Sequence, residues 1–553
     1  MGSAREDGVL IPWSRTPRAI TARELLIAFA GLLAAVAAVY LPHAASHGLY
    51  TDDWWFVQRF HFLDHGLGSL RSMLDVSPFP GGYGTHFSLI DSYRPGQTAS
   101  LILQYLITGE SGTGRLLLSI PLAAIESFLL YLVMRMLGLR PFVAGAAAGI
   151  MAIGTFVDST RLWSAVQSEM NAASLYLAGL ACALAGLRST SRARQIAWHA
   201  GAVLLYLACV FTYEAFLLLL PLSALGYVLV ADRRAALFRW AADLVAVGIG
   251  AVTVGRVANR DRQGHVTLSH VWHRIEDVIP AAGRVFGWSI PGESIVVGPL
   301  GILLAIAAAV GVGLAIRRGG ARGRAAVQWC AVGAVAFALA LVGVVPLLPA
   351  EHALTPANGG FGNRLLVTSS LFYPLLYVSI AFLIAIGLGT LIGRPRWAPA
   401  LAVIAIALLA VGLVNRELQR QDDFSATWDQ EQRIVDSIQR TLPSPKRDAV
   451  IVSFRHPLTL DGGMVSFATD YDLDGALKLR YGDESIRAHP YLPGATCGPT
   501  GMTFSGTFEP ANTLPYDRMY FVDTAREKAF RIDDAAQCTR ELERLTALPV
   551  KFR

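Results

Sequence analysis

The sequence predicts an α-helical polytopic membrane protein of about eleven transmembrane helices, followed by a small C-terminal α/β or α+β domain. Three observations predict it. Only 16% of the 553 residues are charged and the mean hydropathy is +0.45, whereas soluble domains carry roughly a quarter charged residues. About eleven apolar segments approach the roughly 20 residues that a membrane-crossing helix needs. Short, arginine-bearing connections recur at every second gap, as expected of a chain whose basic loops stay in the cytoplasm.

The apolar segments fall near residues 22–42, 115–138, 141–157, 169–187, 196–213, 214–231, 240–257, 295–316, 326–349, 365–392 and 398–414. The third and seventh are short, and the tenth is long enough to tilt. Residues 94–108 are helical in pattern but too short to span, which predicts a helix lying along the interface. The run from Leu25 to Leu41 is long for a signal peptide and lacks a cleavage site, so it reads as the first span.

Arginines set the orientation. Arg15 and Arg18 precede the first span, Arg135 and Arg140 follow the second, and Arg188, Arg192 and Arg194 follow the fourth. Arg233, Arg234 and Arg239, then Arg317, Arg318, Arg322 and Arg324, then Arg394 and Arg396 continue the alternation. Residues 1–21 are thus expected in the cytoplasm, 22–414 in a plasma (inner) membrane, and 415–553 on the exoplasmic side. The net charge of +6 is almost wholly arginine, and its placement reads as topology rather than nucleic-acid binding.

The long polar segments, 43–114, 158–168, 258–294, 350–364 and the tail, all lie on the outer face. One-sided polar loops suggest chemistry on that side. In the tail, a helix is predicted over 429–442 and strands over 449–454 and 519–522, with turn residues between and no catalytic motif. Cys182, Cys209 and Cys330 lie in apolar segments; Cys497 and Cys538 lie in the tail. Two cysteines alone in such a domain suggest one disulfide, if the domain faces an oxidising compartment.

The first outer loop, 43–114, opens with Asp52 and Asp53 followed by Trp54 and Trp55. Tryptophan favours the membrane–water boundary, which puts the carboxylates near the membrane surface. There an acidic pair can bind a divalent cation, cap a helix with Thr51, or accept a proton from an incoming hydroxyl. Near the loop's end stand His86, Asp91, Tyr93, Arg94 and Pro95. Pro95 suits a first helical turn, which would set Arg94 beside unpaired amides as an anion site, or as a headgroup anchor. Residues 359–364 repeat the idea: a glycine-rich loop delivers Arg364 to the start of a long span, as a ligand-facing cation or a snorkelling anchor. Glu214 stands between two apolar runs, where an acid faces a cavity or a partner such as Arg256. Arg161, Trp163, Gln167 and Glu169 add polar groups at the outer turn between the third and fourth spans, and His265, His270 and His273 match no strong metal-ligand spacing.

A first span, an outer loop opening on an acidic pair and many later spans resemble the GT-C superfamily of integral-membrane glycosyltransferases. Asp52-Asp53 matches that family's acidic pair. Tyr93-Arg94-Pro95 looks like the Tyr-Arg-Pro element of some members, and Tyr213-Glu214 is similar to an acidic residue at a later turn. The likeness covers residues 20–415 in architecture; tetratricopeptide repeats are absent, and Asp-Asp stands where several relatives have Asp-Glu. The resemblance implies a polyprenyl-phosphate-linked sugar donor, a hydroxyl acceptor and a hexosyl- or pentosyltransferase working at the bilayer surface, with inversion. It casts Asp52 or Asp53 as the base, mildly favouring Asp52, with Arg94 and Arg364 on the donor phosphate. Tyr93, Asp91, Glu214, Trp54 and His86 would contact substrate. No cofactor is implied beyond a possible divalent cation at the aspartates. The alternative class is a transporter or flippase for a lipid-linked or anionic substrate, which would place its site near the midplane on interrupted helices; here the charges gather at one face. A scaffold displaying its tail would leave the aspartates and Arg94 unexplained.

Overall fold

The computed structural model describes residues 11–13, 20–63, 94–258, 268–288, 299–349, 356–357, 361–460, 463–504 and 512–548. Their main helices are α1 (Ala22–Tyr40), α2 (Asp52–His61), α3 (Pro95–Thr108), α4 (Gly112–Met136), α5 (Pro141–Ile153), α6 (Gln167–Arg188), α7 (Arg192–Thr212), α8 (Arg233–Ala258), α9 (Leu268–Trp288), α10 (Pro299–Arg318), α11 (Gly320–Val344), α12 (Tyr373–Leu391), α13 (Ala398–Thr441), α14 (Asp470–Tyr481) and α15 (Ala535–Thr546). Two compact units divide the chain: residues 1–42, 119–161 and 166–420 form the first, and 43–118, 162–165 and 421–553 the second.

Among the described residues, eight helices are long and apolar enough to cross a membrane. Two further apolar stretches, α5 and residues 214–230, are shorter. The latter is broken into a 3-10 turn (Glu214–Leu218) and two short helices (Leu219–Leu222 and Ala224–Val230). Pro221 has no N–H to give, and its carbonyl accepts instead from Trp240 Nε1 at 3.0 Å. The predicted tenth span is also interrupted. Gly362–Leu366 forms a 3-10 turn, Val367–Ser370 one short helix, and α12 starts only at Tyr373. Thr368 and Ser369 send their hydroxyls to the carbonyls of Gly343 and Ala340, at 2.6 and 2.8 Å, and Pro374 lies in the first turn of α12.

Where spans pack, small residues let backbones approach. A Cβ on Gly311 of α10 would lie 2.1 Å from the Gly387 carbonyl oxygen of α12. Leu204, Leu303 and Leu408 are exposed, as expected of helix faces turned toward lipid.

The sequence pattern separates a last span, 398–414, from a tail helix, 429–442. The structure makes them one helix of 44 residues, α13. Residues 415–428 are polar but contain neither glycine nor proline, so nothing in them stops a helix once it is started.

In the second unit, β1 (Val450–Phe454) is one of the two inner strands of a four-stranded sheet, running parallel to β2 (Arg487–Pro490) and to β6 (Met519–Asp523). β7 (Lys528–Ile532) closes the other edge, antiparallel to β6. All five residues of β1 are buried, as a strand covered on both faces requires. The short strands β3 (Thr496–Cys497), β4 (Gly501–Phe504) and β5 (Asn512–Pro515) make a separate antiparallel sheet. Cys497 of β3 is disulfide-bonded to Cys538 of α15, with Cα atoms 5.9 Å apart. α14, which joins β1 to β2, starts with a capping box between Thr469 and Asp472 and ends at Gly482, whose φ is 64°.

Candidate active site

The chain enters α2 through a tight turn. A Cβ on Gly48 would stand 1.9 Å from the Trp428 ring, so only glycine lets this strand of backbone lie against that indole. Thr51 then takes φ 42°, a region that β-branched residues avoid. The strain sits one residue before the aspartates, where such outliers often mark working positions. Thr51 precedes the helix but does not cap it with its side chain. Asp53 reaches back instead, its Oδ2 accepting from the Tyr50 amide at 3.2 Å.

The two neighbouring aspartates face different surroundings. Asp53 is 1% exposed. Its Oδ1 accepts from Ser164 Oγ at 2.6 Å, and Ser164 Oγ accepts in turn from Arg115 Nη1 at 3.1 Å. Arg115 is held by the Gly109 carbonyl at 3.1 Å. Burial pushes the Asp53 carboxyl up to about 6, against the pull of Arg115, Ser164 and the Tyr50 amide. Asp52 is only half-buried, and its Oδ1 accepts from the Tyr471 hydroxyl of α14 at 2.8 Å. Burial and the Asp52 charge push the Tyr471 phenol well up, so it remains a donor.

The paired indoles also diverge. Trp54 stacks on Trp428, centroids 5.5 Å apart, and its Nε1 donates to Glu431 at 2.8 Å. Both rings line a cavity of about 350 Å³ shared with Glu110, Gln432 and Arg480. Trp55 lies under the Arg59 guanidinium at 5.3 Å and meets the Tyr471 ring edge-on at 6.1 Å.

Arg94 occupies the N-cap of α3 with Pro95 in the first turn, and its Nη1 reaches Gln97 Oε1 at 3.5 Å. α3 packs on α2. His86, Asp91 and Tyr93 lie outside the described residues.

The remaining candidates belong to the first unit. Arg364 sits in the 3-10 turn, not at the start of a continuous long helix, with Nη1 3.7 Å from Glu169 Oε1. Its neighbour Asn363 is 1% exposed. The Asn363 side chain accepts from the Ser159 amide at 3.3 Å and from the Ser159 hydroxyl. It donates to the Thr155 carbonyl at 2.9 Å and to Asp158. Asp158 also pairs with Arg420 at 3.2 Å. Glu214 opens its own 3-10 turn, half-buried.

Among the described residues no three His, Cys, Asp or Glu side chains cluster as a metal site. Both Asp53 oxygens and one of Asp52 already accept hydrogen bonds, from different directions.

Sequence reasoning missed Ser164, Arg115 and Tyr471. Ser164 sits in a run of polar residues that the pattern did mark, between Trp163 and Gln167. Arg115 stands at the head of a span, where arginine normally reads as an anchor. Tyr471 had one signal, the Thr469-x-x-Asp472 start of a helix, but nothing in the sequence tied that helix to Asp52.

No family model and no curated protein matches the chain. Among solved structures it is similar to ArnT from Cupriavidus metallidurans in the apo state, with 12% identity, a TM-score of 0.42, and 81% of this chain and 84% of that chain covered. ArnT bound to undecaprenyl phosphate gives 13% identity and a TM-score of 0.37, covering 83% and 85%. The archaeal oligosaccharyltransferase AglB from Archaeoglobus fulgidus, in complex with an inhibitory peptide and a dolichol-phosphate, gives 12% identity and a TM-score of 0.40. The match covers 84% of this chain but 64% of AglB, less than two thirds of its length.

Proposed function

We propose that the chain is a membrane glycosyltransferase that moves a sugar from a polyprenyl-phosphate donor to a hydroxyl acceptor at the outer membrane surface. The observation that carries this reading is the division of labour within Asp52-Asp53. Asp53 is buried and held by Ser164 and the Tyr50 amide, which suits an anchor. Asp52 is half-buried and accepts from the Tyr471 hydroxyl, which suits a general base that an incoming hydroxyl can reach. In the reaction, the acceptor oxygen attacks the anomeric carbon and its proton passes to Asp52. The bond to the phosphate oxygen breaks on the opposite side, the configuration inverts, and the polyprenyl phosphate leaves with the bonding pair. Arg94 and Arg364 are proposed to stabilise the charge growing on that phosphate. Trp54, Glu214, Tyr93, Asp91 and His86 are proposed as substrate contacts. No step is routed through a metal.

The same reading puts residues 1–21 in the cytoplasm of a plasma (inner) membrane and the C-terminal domain outside. The Cys497–Cys538 disulfide supports an oxidising compartment for that domain. Purified full-length protein, incubated with a panel of radiolabelled polyprenyl-phosphate sugars, is expected to consume one of them. Asp52→Asn is then expected to lower kcat by about 10²–10⁴-fold with donor binding intact. If Asp53→Asn loses turnover while Asp52→Asn keeps it, the roles are exchanged. If both turn over normally, neither is the base.

A further inference from the structure

The C-terminal domain carries no catalytic motif, yet it brings a helix directly onto α2. A Cβ on Gly475 of α14 would lie 2.5 Å from the Trp54 carbonyl oxygen and 3.1 Å from the Trp55 amide nitrogen. Backbone therefore meets backbone there, and the approach fixes how α14 lies on α2. The capping box of Thr469 and Asp472 holds the first turn of α14 rigid, and Tyr471 stands within that turn. Its ring leans edge-on against Trp55 and its hydroxyl reaches Asp52. A phenol locked by its ring, its helix cap and a glycine contact is a preorganised donor.

We propose that Tyr471 is a positioning residue for the reaction: its hydroxyl fixes the Asp52 carboxylate toward the acceptor and keeps it ionised, making the C-terminal domain a working part of the site. This rests on the glycosyltransferase reading above. A hydrogen bond to the charged form of a carboxylate favours that form. Asp53 on its own helix, and Tyr471 and Asp472 from α14, bear on Asp52 electrostatically. Tyr471 donates to Asp52 Oδ1 at 2.8 Å.

The test is Tyr471→Phe in the full-length protein, assayed with whichever polyprenyl-phosphate sugar of the panel is consumed. We expect kcat to fall about 10- to 100-fold with donor KM within about twofold. The acid limb of the kcat–pH profile is expected to move up by about one unit, because Asp52 loses the donor that favours its charge. A lost structural prop would lower the melting temperature without moving that limb. Tyr471→Phe should also add little to the loss in Asp52→Asn, since both remove the same bond. If Asp52→Asn is inactive while Tyr471→Phe keeps the wild-type kcat and acid limb, the positioning role is wrong and the transferase reading stands. If no donor is consumed, or Asp52→Asn is fully active, the reading itself falls and the proposal with it.

Discussion

The Ser164 hydroxyl donates to Asp53 at 2.6 Å across 111 residues of sequence. Behind it, Arg115 donates to the same serine oxygen at 3.1 Å. Arginine, serine and aspartate thus form a short buried chain that carries positive charge toward a carboxylate without direct contact. Such a chain stabilises a buried acid only while every link is made.

Ser164→Ala breaks the middle link, taking the serine donor from Asp53 Oδ1 and leaving Arg115 Nη1 only its long contact to Gln104. It is expected to destabilise the protein by about 1–3 kcal/mol, read as a lower melting temperature in detergent. Ser164→Thr keeps the hydroxyl and should lose less. Equal losses in both variants would mean that the bond contributes nothing.

Burial raises the Asp53 carboxyl from 3.8 to about 6, so the folded state holds this proton more tightly than the unfolded chain does. Its contribution is fully present below about pH 4 and is lost as pH rises through about 6. Asp53→Asn removes the titration. Relative to wild type, its melting temperature should gain steadily between about pH 4 and 6 and then level off. A constant difference across that range would contradict the assigned burial.

The proposed function gives Arg94 and Arg364 a role at the donor phosphate. Arg94→Gln and Arg364→Gln are each expected to raise donor KM or lower kcat by about tenfold or more, since a charge-assisted contact is stronger than a neutral one. Asn363→Leu leaves Arg364 in place but removes the amide that ties its turn to Thr155, Asp158 and Ser159. It should affect stability as well as donor kinetics. Wild-type donor kinetics in Arg364→Gln would remove that residue from the site.

Gly475→Ala puts a methyl group 2.5 Å from the Trp54 carbonyl oxygen, and backbone cannot step aside cheaply. A loss of about 1–3 kcal/mol is expected, together with reduced turnover if α14 serves Asp52. Gly482→Ala, at the far end of the same helix, has open space for its Cβ but an unfavourable φ of 64°. It should lower stability without touching kcat.

Cys497→Ser with Cys538→Ser opens a link across 41 residues and should lower the stability of the C-terminal domain by about 2–5 kcal/mol. In intact cells, an impermeant thiol reagent should label both cysteines only after external reduction. Labelling from the cytoplasmic side alone would overturn the proposed orientation.

The membrane-spanning character, the positions of the apolar segments and the aspartate pair after the first of them were legible in the sequence. Hydropathy and arginine spacing are local properties, and lipid imposes them segment by segment. So was the helix start at Arg94-Pro95, because proline acts on its own backbone. The breaks near Pro221 and before Pro374 were less legible, since long apolar runs hide an interruption whose side-chain partners come from other helices. The merging of 398–414 and 429–442 into one helix followed from the lack of any stop between them, an absence that a hydropathy reading does not weigh.

What only the tertiary structure decided is how the two aspartates differ. Adjacent, chemically identical side chains have the same local sequence, so no motif separates them. Their surroundings differ through Ser164 and Arg115 beside one and Tyr471 beside the other, residues 111, 62 and 419 positions away. Burial and hydrogen bonding act through space, and the helix turn between residues 52 and 53 points each carboxylate at a different part of the fold.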